Sequence, residues 1–176
     1  KETIEEIISG KIFIYPTDTI YGLGCNALLS DSVKKIREIK KREAKPFSVI
    51  APSKKWIREN CFVEEKIEKW LDKLPGAYTL ILKMKNKNCV AKEVNLGAET
   101  LGVRIPKHWF SELIKEAGVP FVTTSVNLSG EPHITKISEI KDELIKKIDI
   151  AVDEGEKNAR PSTLVNLVGK EEIFIR

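Results

Sequence analysis

The pattern of hydrophobic and polar positions switches several times between helical and strand spacing. Apolar side chains three and four positions apart recur in five segments, and each stripe predicts a helix with one buried face. Between the stripes lie short apolar or alternating runs that predict strands. The five stripes are Ile4/Ile7/Ile8, Val33/Ile36/Ile39, Ile67/Trp70/Leu71/Leu74, Phe110/Leu113/Ile114/Ala117 and Ile140/Leu144/Ile148.

Residues next to these stripes predict where helices begin and end. Asp31 is expected to cap the second helix, because its side chain can accept hydrogen bonds from free backbone amides. Gly10 and Gly118 follow the last apolar positions of two other helices and predict their C-terminal ends. Pro75 and Gly76 are expected to end the third helix.

Eight short runs with strand character alternate with the helical stripes. This interleaving predicts an α/β fold, with one open, twisted, mixed β-sheet and flanking helices. No internal repeat and no linker divides the chain, so residues 1–176 are expected to form a single domain. Ligands of such sheets bind in a crevice outside the strand ends. The eight runs are residues 11–15, 47–51, 77–83, 101–106, 120–124, 148–152, 162–167 and 172–176.

Composition narrows the environment of this fold. Hydrophobic residues make up 41% of the chain, which is enough for a core, and the net charge of +4 is mild. No apolar run approaches the roughly 20 residues that cross a bilayer. Cys25, Cys61 and Cys89 are odd in number and far apart, which argues against a disulfide framework. His108 and His133 lack a second ligand at metal spacing and are expected at the surface. We therefore expect a cytoplasmic protein without a membrane partner.

The segment from Pro16 to Gly24 places hydroxyl groups and glycines directly after the first strand. Hydroxyl groups donate to oxyanions without adding charge, and glycines allow close approach to the backbone. The alternative is a rigid turn whose hydroxyls bond to its own backbone, and spacing alone favours that turn. Neither the G-x-G-x-x-G nor the G-x-x-x-x-G-K-[ST] phosphate-binding pattern is present.

Lys40, Arg42 and Lys45 form a cationic cluster at the end of the second predicted helix. Guanidinium groups bind phosphate in a bidentate manner and ammonium groups act as point charges, so the cluster is a candidate triphosphate site. Cations also stabilise a helix C-terminus through the macrodipole, and a solvated cap is the more common explanation of such clusters.

Polar side chains also accompany the later strands. Ser125 and Asn127 lie two positions apart in an extended loop, so both can face one ligand; a turn leading to the next helix is an equally good interpretation. Arg104 lies in an otherwise apolar strand, where a guanidinium needs an acidic partner or a ligand carboxylate. Ser162 and Arg176 complete the candidates.

Together these segments resemble the YrdC family, the threonylcarbamoyl-AMP synthases. The likeness spans nearly the whole chain, and the order and spacing of its motifs make it specific. The resemblance implies a YrdC-like fold, in which an open, twisted mixed sheet surrounds a large basic concave cleft. The motifs are P-T-D-T-I-Y-G-L-G, K-x-R at Lys40 and Arg42, L-P-G-A-Y-T-L-I-L, G-V-R-I-P, S-V-N-L-S-G and S-T-L-V.

The resemblance also implies a reaction. L-threonine, bicarbonate and ATP, the last with Mg²⁺, would give threonylcarbamoyl-adenylate and pyrophosphate, which is nucleotidyltransferase chemistry. A downstream tRNA threonylcarbamoyl-transferase complex would then modify adenosine 37 of tRNA, and contact with tRNA or double-stranded RNA is compatible with a basic cleft. The enzyme would contribute positioning and charge neutralisation.

Carried over residue by residue, the resemblance divides the polar side chains between two substrates. The catalytic tetrad would be Lys40, Arg42, Ser125 and Asn127. The residues on ATP would be Lys40, Arg42, Lys45, Thr100, Ser125, Asn127 and Arg176. The residues on threonine would be Thr19, Arg104, Thr123 and Ser162. No metal ligand is assigned, and Asp18 is the one carboxylate considered for Mg²⁺.

Two departures from the family pattern bear on these assignments. After K-x-R the family often has R-P-x-x-[KN]-P, whereas this chain has R-E-A-K-P, which is one residue shorter and lacks the first proline. Some relatives place a histidine on the next strand, in contact with threonine, where this chain has Ile50. The threonine pocket is therefore expected to be built differently.

Two alternatives stand beside the synthase. An RNA-binding module of the same fold would grip phosphates without chemistry, but no RNP, KH or double-stranded-RNA-binding signature supports it. A paralogue that makes another carbamoyl-adenylate would keep the fold and lose threonine recognition, which Ile50 allows.

Overall fold

Helices and strands alternate along the chain, as the hydrophobic pattern predicts. The computed structural model describes residues 2–41, 45–127 and 131–176. These ranges contain seven α-helices, nine strands and one 3₁₀ turn at Ile137–Glu139. The helices are α1 Glu2–Ser9, α2 Ser30–Lys40, α3 Lys54–Asn60, α4 Glu65–Leu71, α5 Lys92–Asn95, α6 Trp109–Ala117 and α7 Asp142–Ile145. The strands are β1 Phe13–Tyr15, β2 Gly22–Gly24, β3 Ser48–Ile50, β4 Tyr78–Lys83, β5 Thr100–Arg104, β6 Phe121–Ser125, β7 Ile150–Ala151, β8 Thr163–Asn166 and β9 Ile173–Phe174.

The nine strands form one mixed sheet in the order β7-β1-β2-β6-β3-β5-β4-β8-β9. The pairs β1–β7, β3–β5 and β4–β8 are parallel. The other neighbours are antiparallel. Parallel neighbours require crossover connections, which the intervening helices supply. The predicted α/β class and mixed sheet are confirmed.

One face of the sheet carries the main hydrophobic core. Successive side chains of a strand point to opposite faces, so each strand contributes every second residue to this core. Leu80 of β4, Val103 of β5 and Val165 of β8 are fully buried there. Apolar side chains of α2, α3, α4, α5 and α7 pack against them. This face is therefore covered by helices.

A second apolar cluster covers one end of the opposite face. It joins Ile7 of α1 and Phe110 of α6 to Phe13, Tyr15 and Phe121 of the strands. The rings of Tyr15 and Phe110 stack with their centroids 4.6 Å apart, and such pairs add to the stabilisation from buried area. Helices α1 and α6 therefore leave the other end of this face open.

The open end of this face carries small and polar side chains. Thr79 of β4 alternates with the core residue Leu80, and Gly102 and Arg104 of β5 alternate with Val103. The strand period of two therefore places core residues on one face and these residues on the other. They form the floor of a cavity.

Helix ends agree with the predictions at α1 and α6 and differ at α2 and α4. Helix α4 ends at Leu71, before the stop expected at Pro75 and Gly76, so Leu74 lies beyond it. Gly10 (φ +95°) and Gly118 (φ +72°) adopt the left-handed backbone that favours glycine after a helix. The predicted cap at Asp31 is wrong, because Leu29 occupies the N-cap position and its side chain makes no capping hydrogen bond. Asp31 lies in the first turn, where its negative charge still suits the helix dipole.

Four further elements differ from the sequence expectations. Of the stripe Ile140/Leu144/Ile148, only Leu144 lies in a helix, the short α7, and Ile140 follows the 3₁₀ turn. Helices α3 and α5 were not predicted, because seven and four residues are too few for a repeating stripe. Strand β2 lies within the segment expected to be a loop, since Gly-Leu-Gly has low strand propensity.

Glycines allow β2 to enter the sheet between β1 and β6. A Cβ atom at Gly22 would lie 2.6 Å from Cζ of Tyr15, and one at Gly24 would overlap the carbonyl oxygen of Val122. The Tyr15 hydroxyl donates to that same carbonyl oxygen at 3.1 Å. Close packing within the sheet thus explains these glycines before any ligand is considered.

Two expectations from composition concern the cysteines and the membrane. All three cysteines are buried and form no disulfide bond within the described ranges. Burial raises the pKa of the Cys61 thiol to about 12 and that of the Cys89 thiol to about 11. These thiols are therefore protonated at neutral pH. None of the helices within the described ranges has the length and apolar content needed to cross a membrane.

Candidate active site

A cavity of about 540 Å³ opens on the uncovered end of the sheet. Nine of the eleven candidate residues line it, although they come from widely separated parts of the chain. Of the other two, Lys40 bonds to residues of the cavity wall, and Arg42 lies outside the described residues. The nine are Thr19, Lys45, Thr100, Arg104, Thr123, Ser125, Asn127, Ser162 and Arg176.

The Pro16–Gly24 segment is both a rigid turn and a part of the cavity wall. The Thr17 hydroxyl donates to the carbonyl oxygen of Ile20 (2.7 Å) and accepts from the amide of Thr19 (3.0 Å). Because its single proton is used on Ile20, the 3.1 Å contact between the two threonine hydroxyls has Thr19 as donor. The turn therefore fixes Thr19 and confirms the rigid-turn interpretation, while binding of a ligand by this segment stays a prediction.

Arg104 has an acidic partner and also lines the cavity. It is 4% exposed, and its Nη2 donates to Oδ1 of Asp18 and to the carbonyl oxygen of Gly76 (3.3 Å). Its Nη1 donates to Thr19 Oγ1 at 3.3 Å. Its Nε has no partner in the part of the chain that the structure describes. Burial lowers the pKa of Arg104, and the carboxylate of Asp18 opposes this.

Both carboxylate oxygens of Asp18 accept hydrogen bonds from other residues of the chain. Oδ1 accepts from Arg104, and Oδ2 accepts from the backbone amide of Lys107 at 2.9 Å. A carboxylate held in this way balances a buried guanidinium. The contacts give Asp18 a role toward Arg104 and offer no support for the Mg²⁺ role considered above.

Carboxylates, the side chains that Mg²⁺ prefers, are scarce around the cavity. Within residues 2–41, 45–127 and 131–176, no group of three or more His, Cys, Asp or Glu side chains could hold a metal ion. Among the lining residues so described, Glu131 carries the one carboxylate, and it pairs with Lys141 at 2.9 Å. Mg²⁺ is often bound through substrate phosphates and water. The described residues thus offer no metal site of their own, and Mg²⁺ stays a prediction tied to ATP.

Lys40 lies behind the cavity wall with 2% of its surface exposed. Its ammonium donates to Thr124 Oγ1 (3.0 Å), the Ser125 carbonyl oxygen (2.7 Å) and Asn127 Oδ1 (2.9 Å). The Ser125 hydroxyl donates to the same amide oxygen of Asn127 at 2.7 Å. A buried ammonium is stable only where such acceptors replace water. Lys40 therefore holds Ser125 and Asn127 in place from outside the cavity.

Ser162 and Arg176 meet in another part of the wall. The Arg176 guanidinium donates from Nε to the Ser162 carbonyl oxygen (2.9 Å) and from Nη2 to Ser162 Oγ (3.5 Å). Ser162 Oγ also lies 2.6 Å from Thr79 Oγ1. These contacts join the end of the chain to the floor of the sheet.

Two guanidinium groups, those of Arg104 and Arg176, line the same cavity. Partial burial lowers the pKa of Arg176, and the positive charge of Arg104 lowers it further. Two neighbouring cations of this kind are stabilised when an anion binds close to both. The pair therefore favours a negatively charged ligand.

The wall around Lys45 is positioned by Arg37 of α2. Arg37 donates from Nη1 to the Lys45 carbonyl oxygen (2.9 Å) and from Nε to the Glu93 carbonyl oxygen (2.7 Å). Its guanidinium stacks 4.1 Å from the ring centroid of Phe47. Lys45 itself is exposed and lines the cavity.

Other lining residues were missed or misplaced from the sequence. Thr79 could have been found from its alternation with the core residues of β4. His133 was expected at the surface but is half-buried and lines the cavity, and His108 is half-buried at the N-cap of α6. Ile50 is fully buried in the second apolar cluster and is not among the lining residues. Neither periodicity nor composition carries a signal for His133.

The fold and the cavity define an α/β protein with a polar, cation-lined hollow on the open end of a mixed sheet. Comparison with known proteins gives the family: the chain belongs to the Sua5/YciO/YrdC family. The family profile, described as telomere recombination, matches residues 5–176. The family expected from the sequence motifs is confirmed.

Individual relatives agree with this family. A Methanocaldococcus jannaschii protein, provisionally named threonylcarbamoyl-AMP synthase, is 39% identical over 98% of this chain and 82% of its own. The Bacillus subtilis threonylcarbamoyl-AMP synthase is 38% identical over 82% of this chain and 43% of its own. The crystal structure of P. abyssi Sua5 complexed with L-threonine superposes with a TM-score of 0.90 at 29% identity, over 99% of this chain and 52% of that one. The chain thus spans about half the length of the latter two relatives.

Proposed function

We propose that this chain is a threonylcarbamoyl-AMP synthase. It is an enzyme of the nucleotidyltransferase type that joins L-threonine, bicarbonate and ATP into threonylcarbamoyl-adenylate and releases pyrophosphate. The observation that carries the proposal is the meeting of nine separated polar residues around one cavity. The names of the relatives support the same reaction.

The cavity suits two substrates held side by side. Its volume of about 540 Å³ lies in the usual range of small-molecule sites, about 300–1,000 Å³. Arg104 binds the amino-acid carboxylate, because a guanidinium matches a carboxylate in shape and charge. The amino-acid side is assigned to Thr19, Arg104, Thr123 and Ser162, and the ATP side to Lys45, Thr100, Ser125, Asn127 and Arg176.

Lys40 and Arg42, the two remaining members of the tetrad, are supported by different observations. Lys40 is a positioning residue in this proposal, because its ammonium is bonded to Ser125 and Asn127. Arg42, which follows α2 closely in the chain, remains a predicted phosphate ligand on the strength of the K-x-R motif alone.

The proposed chemistry needs little beyond positioning. The threonine amine adds to the carbon of bicarbonate with loss of water and gives a carbamate. A carbamate oxygen then attacks the α-phosphorus of ATP, and pyrophosphate leaves. Mg²⁺ bound to ATP neutralises phosphate charge. Arg176 and Lys45 add positive charge at the phosphates, and the residues of the amino-acid side hold the unstable carbamate beside them.

The product is proposed to pass to a separate tRNA threonylcarbamoyl-transferase complex in the cytoplasm. Contact with tRNA or double-stranded RNA remains a prediction. A paralogue that uses another amino acid is not favoured, because Ile50, the residue that allowed this alternative, is buried in the second apolar cluster and is not among the lining residues.

The test is a reconstitution of the reaction. Purified protein is incubated with Mg–ATP and labelled bicarbonate, with and without L-threonine, and pyrophosphate and the labelled adenylate are measured. We expect both products to depend on threonine. Equal pyrophosphate release without threonine would contradict the proposal, and dependence on a different amino acid would favour the paralogue.

A substitution tests the division of the cavity. Arg104→Lys keeps the charge and loses the planar fork, so KM for threonine should rise roughly 10- to 100-fold while KM for ATP changes far less. Arg58→Lys, at an exposed ion pair with Glu68, is the matched control and should leave both unchanged. Equal rises for the two substrates would refute the assignment of Arg104.

A further inference from the structure

Thr79 places a buried hydroxyl in the cavity floor that has no assigned role. Thr79 is 2% exposed and lines the cavity. Its Oγ1 lies 2.6 Å from Ser162 Oγ, which is a short and well-formed hydrogen bond. The two residues are 83 positions apart in the chain. The fold has therefore brought these two hydroxyls together from distant segments.

The backbone and the neighbouring side chains fix the position of Thr79. Strands β4 and β8 are parallel and pair Thr79 with Leu164. The amide of Thr163 donates to the carbonyl oxygen of Ala77 at 2.9 Å, which fixes the start of β8 beside Ser162. A Cβ atom at Gly102 would lie 3.5 Å from Thr79 Cγ2. The threonine methyl group therefore packs over glycine, and the hydroxyl is directed to Ser162.

Hydrogen-bond accounting shows what this contact does for Ser162. A hydroxyl has one proton to donate and two lone pairs that accept. Ser162 Oγ accepts from Arg176 Nη2 at 3.5 Å. If Thr79 donates to the second lone pair, the Ser162 proton is available to an oxygen atom in the cavity. Within the described ranges, Ser162 Oγ is the hydrogen-bond partner of the Thr79 hydroxyl, so it is the acceptor within reach of the buried Thr79 proton.

We propose that Thr79 is a positioning residue for the amino-acid substrate. It donates to Ser162, and Ser162 then donates to a carboxylate oxygen of the amino acid bound at Arg104. This inference rests on the proposed function, since it deepens the threonine side of the same cavity. Thr79 does not touch the substrate carboxylate in this arrangement and acts through Ser162.

The experiment compares substitutions that separate shape from hydrogen bonding. Thr79→Val keeps the shape and removes the hydroxyl, whereas Thr79→Ser keeps the hydroxyl. We expect Thr79→Val to raise KM for L-threonine roughly 3- to 10-fold, as expected for one lost hydrogen bond, with little change in KM for ATP. Thr79→Ser should restore most of the wild-type value. Thr163→Val is the matched control, because Thr163 lies next to Ser162 and is not among the cavity-lining residues.

A double substitution tests whether Thr79 acts through Ser162. In a Ser162→Ala background, Thr79→Val should add no further rise in KM for threonine, because residues that act as one unit are not additive. Additive effects would overturn the proposal, as would equal rises in KM for threonine and ATP or a failure of Thr79→Ser to rescue. If Thr79→Val does not fold, Thr79→Ala replaces it in the same cycle.

The failure of this inference can be distinguished from the failure of the proposed function. A wild-type protein that releases no threonine-dependent pyrophosphate contradicts the function itself. A wild-type protein that does so, with Thr79→Val unchanged in KM, contradicts only the role of Thr79.

Discussion

Buried polar side chains carry the chemistry of this molecule at the scale of single residues. A charge without water must be paired, or its burial costs several kcal/mol. Arg104 meets this need with Asp18, and Lys40 meets it with oxygen atoms of residues 124–127. The same contacts that make burial tolerable also fix the geometry of the cavity wall.

Replacing Lys40 tests this coupling of stability and function. Lys40→Met keeps most of the buried volume but leaves Ser125 and Asn127 without their shared donor. We expect a loss of about 1–3 kcal/mol in the free energy of unfolding, as for buried acceptors left unpaired, and a rise in KM for ATP. Urea denaturation and steady-state kinetics measure the two effects.

The control for Lys40 is Lys35→Met on the exposed face of the same helix. It should change the free energy of unfolding by less than about 0.5 kcal/mol. A Lys40→Met protein as stable and as active as this control would show that the Lys40 ammonium does not position Ser125 and Asn127.

The elements predicted well are those with long, regular patterns. Helices α1, α2, α4 and α6 follow their apolar stripes, and strands β3 to β6 follow theirs. The sequence failed where an element depends on contacts with distant segments. Strand β2 exists because glycines fit against Tyr15 and Val122, and no local pattern reports those neighbours.

Gly24 gives a prediction at the scale of strands. A methyl group there would overlap the carbonyl oxygen of Val122 and force β2 away from β6. We expect Gly24→Ala to lower the free energy of unfolding by up to about 3 kcal/mol, as for overpacking in a close-packed core. Differential scanning calorimetry checks this.

Gly169→Ala is the matched control for Gly24, because a Cβ atom at Gly169 meets nothing within 4 Å. Its unfolding temperature should stay near that of the wild type. Equal behaviour of the two alanine variants would mean that β2 does not pack as closely as described.

For the molecule as a whole, the sequence predicted which residues line the candidate site better than it predicted which of them bond to each other. The family motifs pointed to nine residues that line one cavity. The pairings of Thr79 with Ser162 and of Asp18 with Arg104 join positions more than 80 residues apart. Such pairings follow from strand order, which hydrophobic periodicity does not determine.

Glu154 connects two distant parts of the molecule and predicts a pH dependence. Burial raises its pKa, but hydrogen bonds from Lys157, His108 and Trp109 outweigh this and lower the pKa to about 2. The ordinary value in an unfolded chain is about 4.3. A depressed carboxyl pKa stabilises the folded state above the unfolded value, and this contribution is lost as the pH falls through the folded one.

Glu154→Gln should therefore destabilise the protein at pH 7, and the gap to the wild type should close between about pH 4 and pH 2. Urea midpoints across this range measure the gap. The exposed Glu171→Gln variant is the control and should follow the wild type. A gap that stays constant with pH would rule out the charge of Glu154 as its cause.

The central claim is that one cavity holds an amino acid and a nucleotide together. A crystal structure with L-threonine and a non-hydrolysable ATP analogue tests it most directly. The account predicts the threonine carboxylate at Arg104 and the phosphates near Arg176 and Lys45, in the same hollow. A nucleotide bound elsewhere, or threonine out of reach of Arg104, would contradict it.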